Sequence, residues 1–166
     1  MIKQNVDNPD ECFHIVLVEP EIPPNTGNVA RTCAATGTRL HLIRPMGFEI
    51  DNTKLKRAGL DYWPKVALEI HENLDAFMKK YGHRKLYLAT THGERIYNEV
   101  SYEPGCMFLF GRETRGLPKE LVRENRERTV RIPMSKAVGE RSLNLSNSVA
   151  IMIFEALRQQ GFPNME

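Results

Sequence analysis

LFGRETRGLP at Leu109–Pro118, IPM at Ile132–Met134 and RSLNLSNSVAIMIFEAL at Arg141–Leu157 are the parts of this chain from which its architecture is read. An apolar run, Met107 to Phe110, stops at Gly111 and gives way to alternating charge, Arg112-Glu113-Thr114-Arg115, before Gly116. A second short run, Val130 to Ile132, ends at Pro133 and opens into a loop rich in serine and asparagine. Loops at the carboxyl ends of strands are where an open α/β sheet holds its ligand. Two strands ending this way mark the region as the active site.

Working outward, the chain alternates strand and helix. Phe13 to Val18 is apolar and β-branched, a buried strand ending at Glu19-Pro20. Pro23-Pro24 predicts a rigid turn, with Asn25 or Thr26 capping a helix that Gly37 stops after Thr36. Val29, Cys33 and the alanines give that helix a small-residue face, and Asn28, Arg31 and Thr32 share the opposite side. Strands follow at Leu40–Ile43, Ala67–Ile70, Lys85–Thr90, Met107–Phe110 and Thr129–Ile132. Helices are expected at Asn52–Arg57, Leu74–Tyr81, from Pro118, and from Leu145 to Gln160. The class is α/β with a mostly parallel sheet flanked by helices.

With 166 residues, 41% hydrophobic and 27% charged, the chain is sized and composed as one globular domain. No apolar run has the length of a membrane span, and MIKQNVDNPDECF lacks the apolar core of a signal peptide. Cys12, Cys33 and Cys106 are odd in number and form no CxxC pair, which fits a reducing cytoplasm. The N-terminal extension, residues 1–11, is expected to be disordered, leaving one domain over 12–166.

Net charge is only +2, but its distribution is uneven. Arg112, Arg115, Lys119, Arg123, Arg126, Arg128, Arg131, Lys136 and Arg141 face five glutamates between Gly111 and Arg141. Arg123 to Arg128 read alone as a solvated helix face. Beside the glycine loops, the arginine excess points to RNA or phosphate, for which the planar guanidinium fork is suited. The last helix carries VAIMIF (Val149 to Phe154), apolar all round where a surface helix would show a polar face. It requires cover on several sides, from its own sheet and from a second subunit.

Several chemistries are excluded by pattern. His14, His41, His71, His83 and His92 have no metal-ligand spacing and read as strand or surface residues, so no metal is expected. There is no G-x-S-x-G elbow, and GRETRG is neither a P-loop nor a GxGxxG fingerprint. Glycine, serine and asparagine at strand ends suit a neutral or zwitterionic ligand read through main-chain hydrogen bonds.

NTGNVAR (Asn25 to Arg31), FGRETRGLP (Phe110 to Pro118) and IPM…RSLNLSNSVAIMIFEALRQ (Ile132 to Gln159) resemble, in order and spacing, the three motifs of the SPOUT class of knotted RNA methyltransferases. EPEIPPNTGN, RPMGFEIDN and KRAGLDYW narrow the resemblance to the small tRNA (cytidine/uridine-34)-2′-O-methyltransferases, over residues 13 to 163. It implies a C-terminal trefoil knot, a topology that the rarity of threaded chains would never suggest. It also implies a homodimer and S-adenosylmethionine held by the loops after three strands. By position, the implied cofactor contacts are Ala89, Thr90, Gly111, Glu113, Ile132, Met134, Ser142, Leu143 and Asn144.

The resemblance assigns proton removal to Arg31, reaching across from the partner subunit, with Asn28 beside it as a catalytic candidate. A guanidinium is almost never neutral, so Arg31 is equally readable as a group that holds a phosphate and stabilises the alkoxide by charge. Arg31, Arg112, Arg115 and Arg141 are the candidate RNA contacts. Phe154 departs from the family's usual tyrosine, so any hydrogen bond from that hydroxyl is lost. Wobble-ribose methylation of tRNA is the leading expectation. The alternatives are the same chemistry on ribosomal RNA and a non-catalytic RNA-binding module.

Overall fold

Strand β1 (His14–Val18) is buried along its whole length, as an apolar run without alternation demands of a strand covered on both faces. The computed structural model describes residues 5–50, 63–139 and 142–166. Around β1 lie β2 (Arg39–Ile43), β3 (Leu68–His71), β4 (Leu86–Ala89), β5 (Arg95–Ile96), β6 (Met107–Phe110) and β7 (Thr129–Arg131). Among the described residues they form one sheet, in the order β3-β2-β1-β6-β4-β7-β5, with every ladder parallel. The α/β class with helices on both faces is therefore the one the alternating pattern predicts.

The two-residue period of each strand sends alternate side chains to two separate cores. Ile15, Leu17, Leu40, Leu42, Phe108 and Phe110 face helices α1 (Pro23–Thr36) and α4 (Leu145–Gln159), meeting Val29, Ala30, Cys33, Val149, Met152 and Ile153. Val16, Val18, Ile43, Leu88, Met107 and Leu109 face α2 (Leu74–Tyr81) and α3 (Lys119–Glu124), meeting Phe77, Tyr81 and Leu121. Each such valine, leucine, isoleucine, phenylalanine or methionine contributes about 1.5–3 kcal/mol by leaving water. Small residues on α1 let it lie close to both the sheet and α4.

Helix signals were mostly local. Asn73 caps α2 by accepting the Ala76 N–H at 2.8 Å, and Asn144 caps α4 by accepting the Ser146 N–H at 2.9 Å. Gly37 ends α1 in the left-handed region (φ 63°), donating its N–H to Cys33. The start of α1 differs from expectation. Pro23 and Pro24 are its first helical residues rather than a preceding turn, because their fixed φ and missing N–H suit that position. Ile22 stands at the N-cap without a side-chain cap, and Asn25 and Thr26 are buried inside the first turn.

The helix expected from Pro118 is short and continues as a 3-10 turn at Arg126–Arg128. Strand β5 was not expected, since two residues carry no period. The helix expected at Asn52–Arg57 lies outside the described residues. Residues 5–11, within the extension expected to be disordered, make contacts with the sheet. The Arg39 and Arg84 guanidinium groups donate to the Val6 and Pro9 carbonyls, and Arg84 pairs with Asp10 at 2.7 Å. Those two arginines come from the sheet's amino end, which sequence order conceals.

Candidate active site

Because β6, β4 and β7 are adjacent and parallel, their carboxyl ends open on the same side. The loops that follow enclose a cavity of about 660 Å³. Ala89, Thr90, Gly111, Glu113, Ile132, Met134, Ser142, Leu143 and Asn144 all line it. Nine residues chosen by motif position, from three separated stretches, therefore share one cavity of a size usual for cofactors. Its wall combines apolar side chains from Ile132, Leu143 and Met152 with polar groups from Thr90, Ser142 and Asn144, a composition that fits an adenosyl group carrying a zwitterionic tail.

Gly111 is required by close approach. A Cβ there would lie 1.9 Å from the Gly116 carbonyl carbon and 2.0 Å from the Leu117 nitrogen. The loop closes on itself through reciprocal backbone hydrogen bonds between Arg112 and Gly116, at 3.2 and 2.8 Å, and Gly116 takes φ 69° to allow it. Thus the GRETRG segment is a tight, self-bonded turn at the cavity wall.

Glu113 lines the cavity and also bonds the start of α1. Its Oε2 accepts the Glu21 N–H at 2.9 Å, and its Oε1 accepts the Ile22 N–H at 3.1 Å and the Asn25 amide at 3.3 Å. The carboxylate thus serves the open amino end of α1, where negative charge is favoured. Asn144 in turn donates to the Asn25 Oδ1 at 3.0 Å while capping α4. Thr114 donates to the Glu21 carboxylate at 2.8 Å, and Arg112 pairs with Glu19, its Nε donating at 2.6 Å. One connected network therefore joins the segment Glu19–Asn25 to the loops after β6 and β7.

Asn25, Glu19 and Glu21 were missed as site residues in the sequence. The only available signal was EPEIPPN itself, an acidic stretch beside prolines with no partner in view.

Asn28 and Arg31 are exposed on α1 and are not among the cavity's lining residues, although Ile22 and Asn25 at the start of the same helix are. Arg115 is exposed at the cavity rim, whereas the Arg112 guanidinium is engaged by Glu19. Arg141 lies outside the described residues. On α4, Val149, Met152 and Ile153 are buried, Ile151 is half-buried, and Phe154 is 43% exposed. The helix that is apolar all round is thus covered by its own chain on only part of its circumference. Among the described residues, no helix is long and apolar enough to cross a membrane.

Comparison with known proteins identifies the family. The model of the SpoU rRNA Methylase family matches residues 12–154. A tRNA (cytidine(34)-2′-O)-methyltransferase of Burkholderia pseudomallei is 52% identical over 153 residues, covering 90% of this chain and 97% of the relative. A solved Bacillus anthracis chain superposes with TM-score 0.88 at 49% identity, over 93% of this chain and 98% of that one. A structure described as giving insight into 2-OH methylation of C/U34 on tRNA superposes with TM-score 0.82 at 45% identity, over 90% and 91% of the two chains. With a cavity at the ends of β6, β4 and β7 and a family match across most of its length, this chain belongs to the SpoU methylase family.

Proposed function

We propose that this protein methylates the ribose 2′-hydroxyl of the wobble nucleotide, position 34, of a tRNA, with S-adenosylmethionine as donor. The observation that carries the reading is the convergence of all nine motif-chosen residues on one cavity. It is supported by about 50% identity to relatives named for this activity, of which this chain covers nearly the whole length. S-adenosylmethionine is held by the backbone of Gly111 and its neighbours, by Thr90, Ser142 and Asn144, and by the apolar Ile132 and Leu143. It supplies an electrophilic methyl group.

The chain's own residues must position the hydroxyl and take its proton. Arg31 is assigned to the ribose as an electrostatic and positioning group, since a guanidinium holds its charge at neutral pH. Its position outside the cavity of its own chain supports a site completed by a second subunit. The exposed Phe154 and half-buried Ile151 on α4 support the same homodimer. The trefoil threading of the C-terminal segment belongs to the same proposal. So does a cytoplasmic location, where tRNA is met and where three buried free thiols remain reduced.

An anticodon loop presents a splayed nucleotide that a folded surface can reach and that a stem hides. Arg115 and the basic groups around the cavity rim then meet phosphates, so turnover should fall steeply as salt is added. The test is methyl transfer to tRNA transcripts, followed by nuclease digestion and mass spectrometry. A methylated ribose at position 34 is expected. A methyl on a base, or on a ribose outside the anticodon loop, overturns the assignment, and transfer to ribosomal RNA alone would favour the second reading.

A further inference from the structure

Three histidines step diagonally across β1, β2 and β3, and none of them lines the cavity. His41 on β2 pairs with Val16, two residues beyond His14 on β1, and His71 on β3 pairs with Ile43, two residues beyond His41. The even spacing puts all three on one face, under Phe77 and Tyr81 of α2, with His14 and His41 fully buried and His71 6% exposed. Their rings stack at 5.1 and 5.3 Å between centroids.

The hydrogen bonds run in one direction. The Pro9 carbonyl can only accept, so His14 Nε2, 2.8 Å away, carries its hydrogen and Nδ1 is left as a lone pair. His41 Nε2, at 2.9 Å, must therefore donate to that atom. This leaves the His41 Nδ1 lone pair aimed at His71 Nε2, 3.0 Å away. Glu69, opposite His41 in the ladder, brings Oε2 to 3.8 Å from His41 Nδ1 and Oε1 to 4.0 Å from His71 Nε2.

We propose that His41, Glu69 and His71 form a binding site for a divalent ion of the zinc type. Bonds of about 2.0–2.2 Å at tetrahedral angles put neighbouring donor atoms roughly 3.3–3.5 Å apart. His41 Nδ1 and His71 Nε2 stand 3.0 Å apart and Glu69 approaches them with different oxygens, at 3.8 and 4.0 Å; with one atom from each residue the set lies within 4.8 Å and closes to that size by rotation of the Glu69 carboxylate. The ion replaces the hydrogen between the two imidazoles, and the His71 proton moves from Nε2 to Nδ1 with no net loss. His41 already has the outer partner that metal-bound histidines have, because its other ring nitrogen is oriented by His14 and through it by Pro9.

Neutral imidazole is the form that coordinates metal, and the run of donors and acceptors from Pro9 to His71 is one that neutral rings make. Tyr81 donates to Glu69 Oε2 at 2.6 Å and orients the carboxylate. Lys80 also contacts Glu69, and its 60% exposed side chain is free to move its ammonium into water. Since β3 is one of the two edge strands among the described residues, a bound ion ties that edge to β2.

The test uses full-length protein stripped with chelator, desalted and titrated with zinc chloride, with bound metal counted by plasma emission and Tm recorded. One zinc per chain and a raised Tm are expected for the unaltered protein. Glu69→Gln should weaken binding about tenfold or more, and His71→Gln should abolish it. His83→Gln and His92→Gln, at exposed positions, should bind as the parent does. Should the site variants fail to fold, nitrogen-15 spectra of the unaltered protein decide. Zinc is expected to shift the His41 and His71 ring nitrogens and to leave those of His83 and His92 in place. Absence of a stoichiometric ion, equal binding by the site variants, or shifts confined to His83 and His92 would each overturn the proposal.

Discussion

Gly111 and Gly116 close the same turn for different physical reasons, and substitution should separate them. At Gly111 even an alanine Cβ would meet backbone at 1.9 Å, so the loop itself must move. At Gly116 a Cβ has open space, and only its positive φ is costly, about 1–2 kcal/mol. Gly111→Ala should therefore abolish calorimetric S-adenosylmethionine binding, with or without chelator, while Gly116→Ala lowers Tm modestly and weakens binding less. Equal affinity in Gly111→Ala and the parent would contradict the backbone's role in the cavity.

The cysteines give a second prediction at this scale. Burial raises Cys12 to about 11, against the opposing charge of Arg39, and burial raises Cys33 and Cys106 further. An unfolded thiol ionises near 9.0, so above that pH the unfolded chain loses protons that the native chain keeps. Stability should therefore be intact at neutral pH and decline as pH rises through the window from 9.0 to about 11. Denaturant midpoints at neutral and alkaline pH measure this, and Cys12→Ala should recover part of the alkaline loss.

At the scale of elements, α1 and α4 owe their relative placement to Glu113, Asn25 and Asn144. Glu113→Gln replaces one acceptor oxygen by an NH₂ facing the Glu21 or Ile22 N–H, and a donor left without an acceptor costs about 1–3 kcal/mol. We expect a lower Tm together with weaker cofactor binding, because the carboxylate supports the loop from behind. A loss of binding with unchanged Tm would instead mean direct contact with the ligand. Elements whose signals are local were legible: α2 with its Asn73 cap, α4 from Leu145, and the buried β1. The start of α1 was misread because its partner, Glu113, stands some ninety residues away.

At the scale of the whole molecule, the proposed dimer makes a prediction about mixing. Arg31→Ala should keep cofactor affinity and lose turnover, since Arg31 does not line its own chain's cavity. Combined in heterodimers with cofactor-dead Gly111→Ala, it should recover part of the activity, as one of the two composite sites then holds both a bound cofactor and an arginine. Verified heterodimers with no recovered turnover would assign the site to a single chain.

The sequence by itself determined the α/β class, six of the seven described strands and most helices, and the nine cavity residues. Those rest on periodicity, caps and motif order, which act between near neighbours or were matched as patterns. Only the tertiary structure decided that Glu113 bonds the amino end of α1, and that Arg39 and Arg84 hold residues 5–11. It alone brought His14, His41 and His71 into one ladder. Parallel strands align residues far apart in the chain through a register that their spacing does not encode, so contacts across the sheet are invisible until the strands are laid side by side.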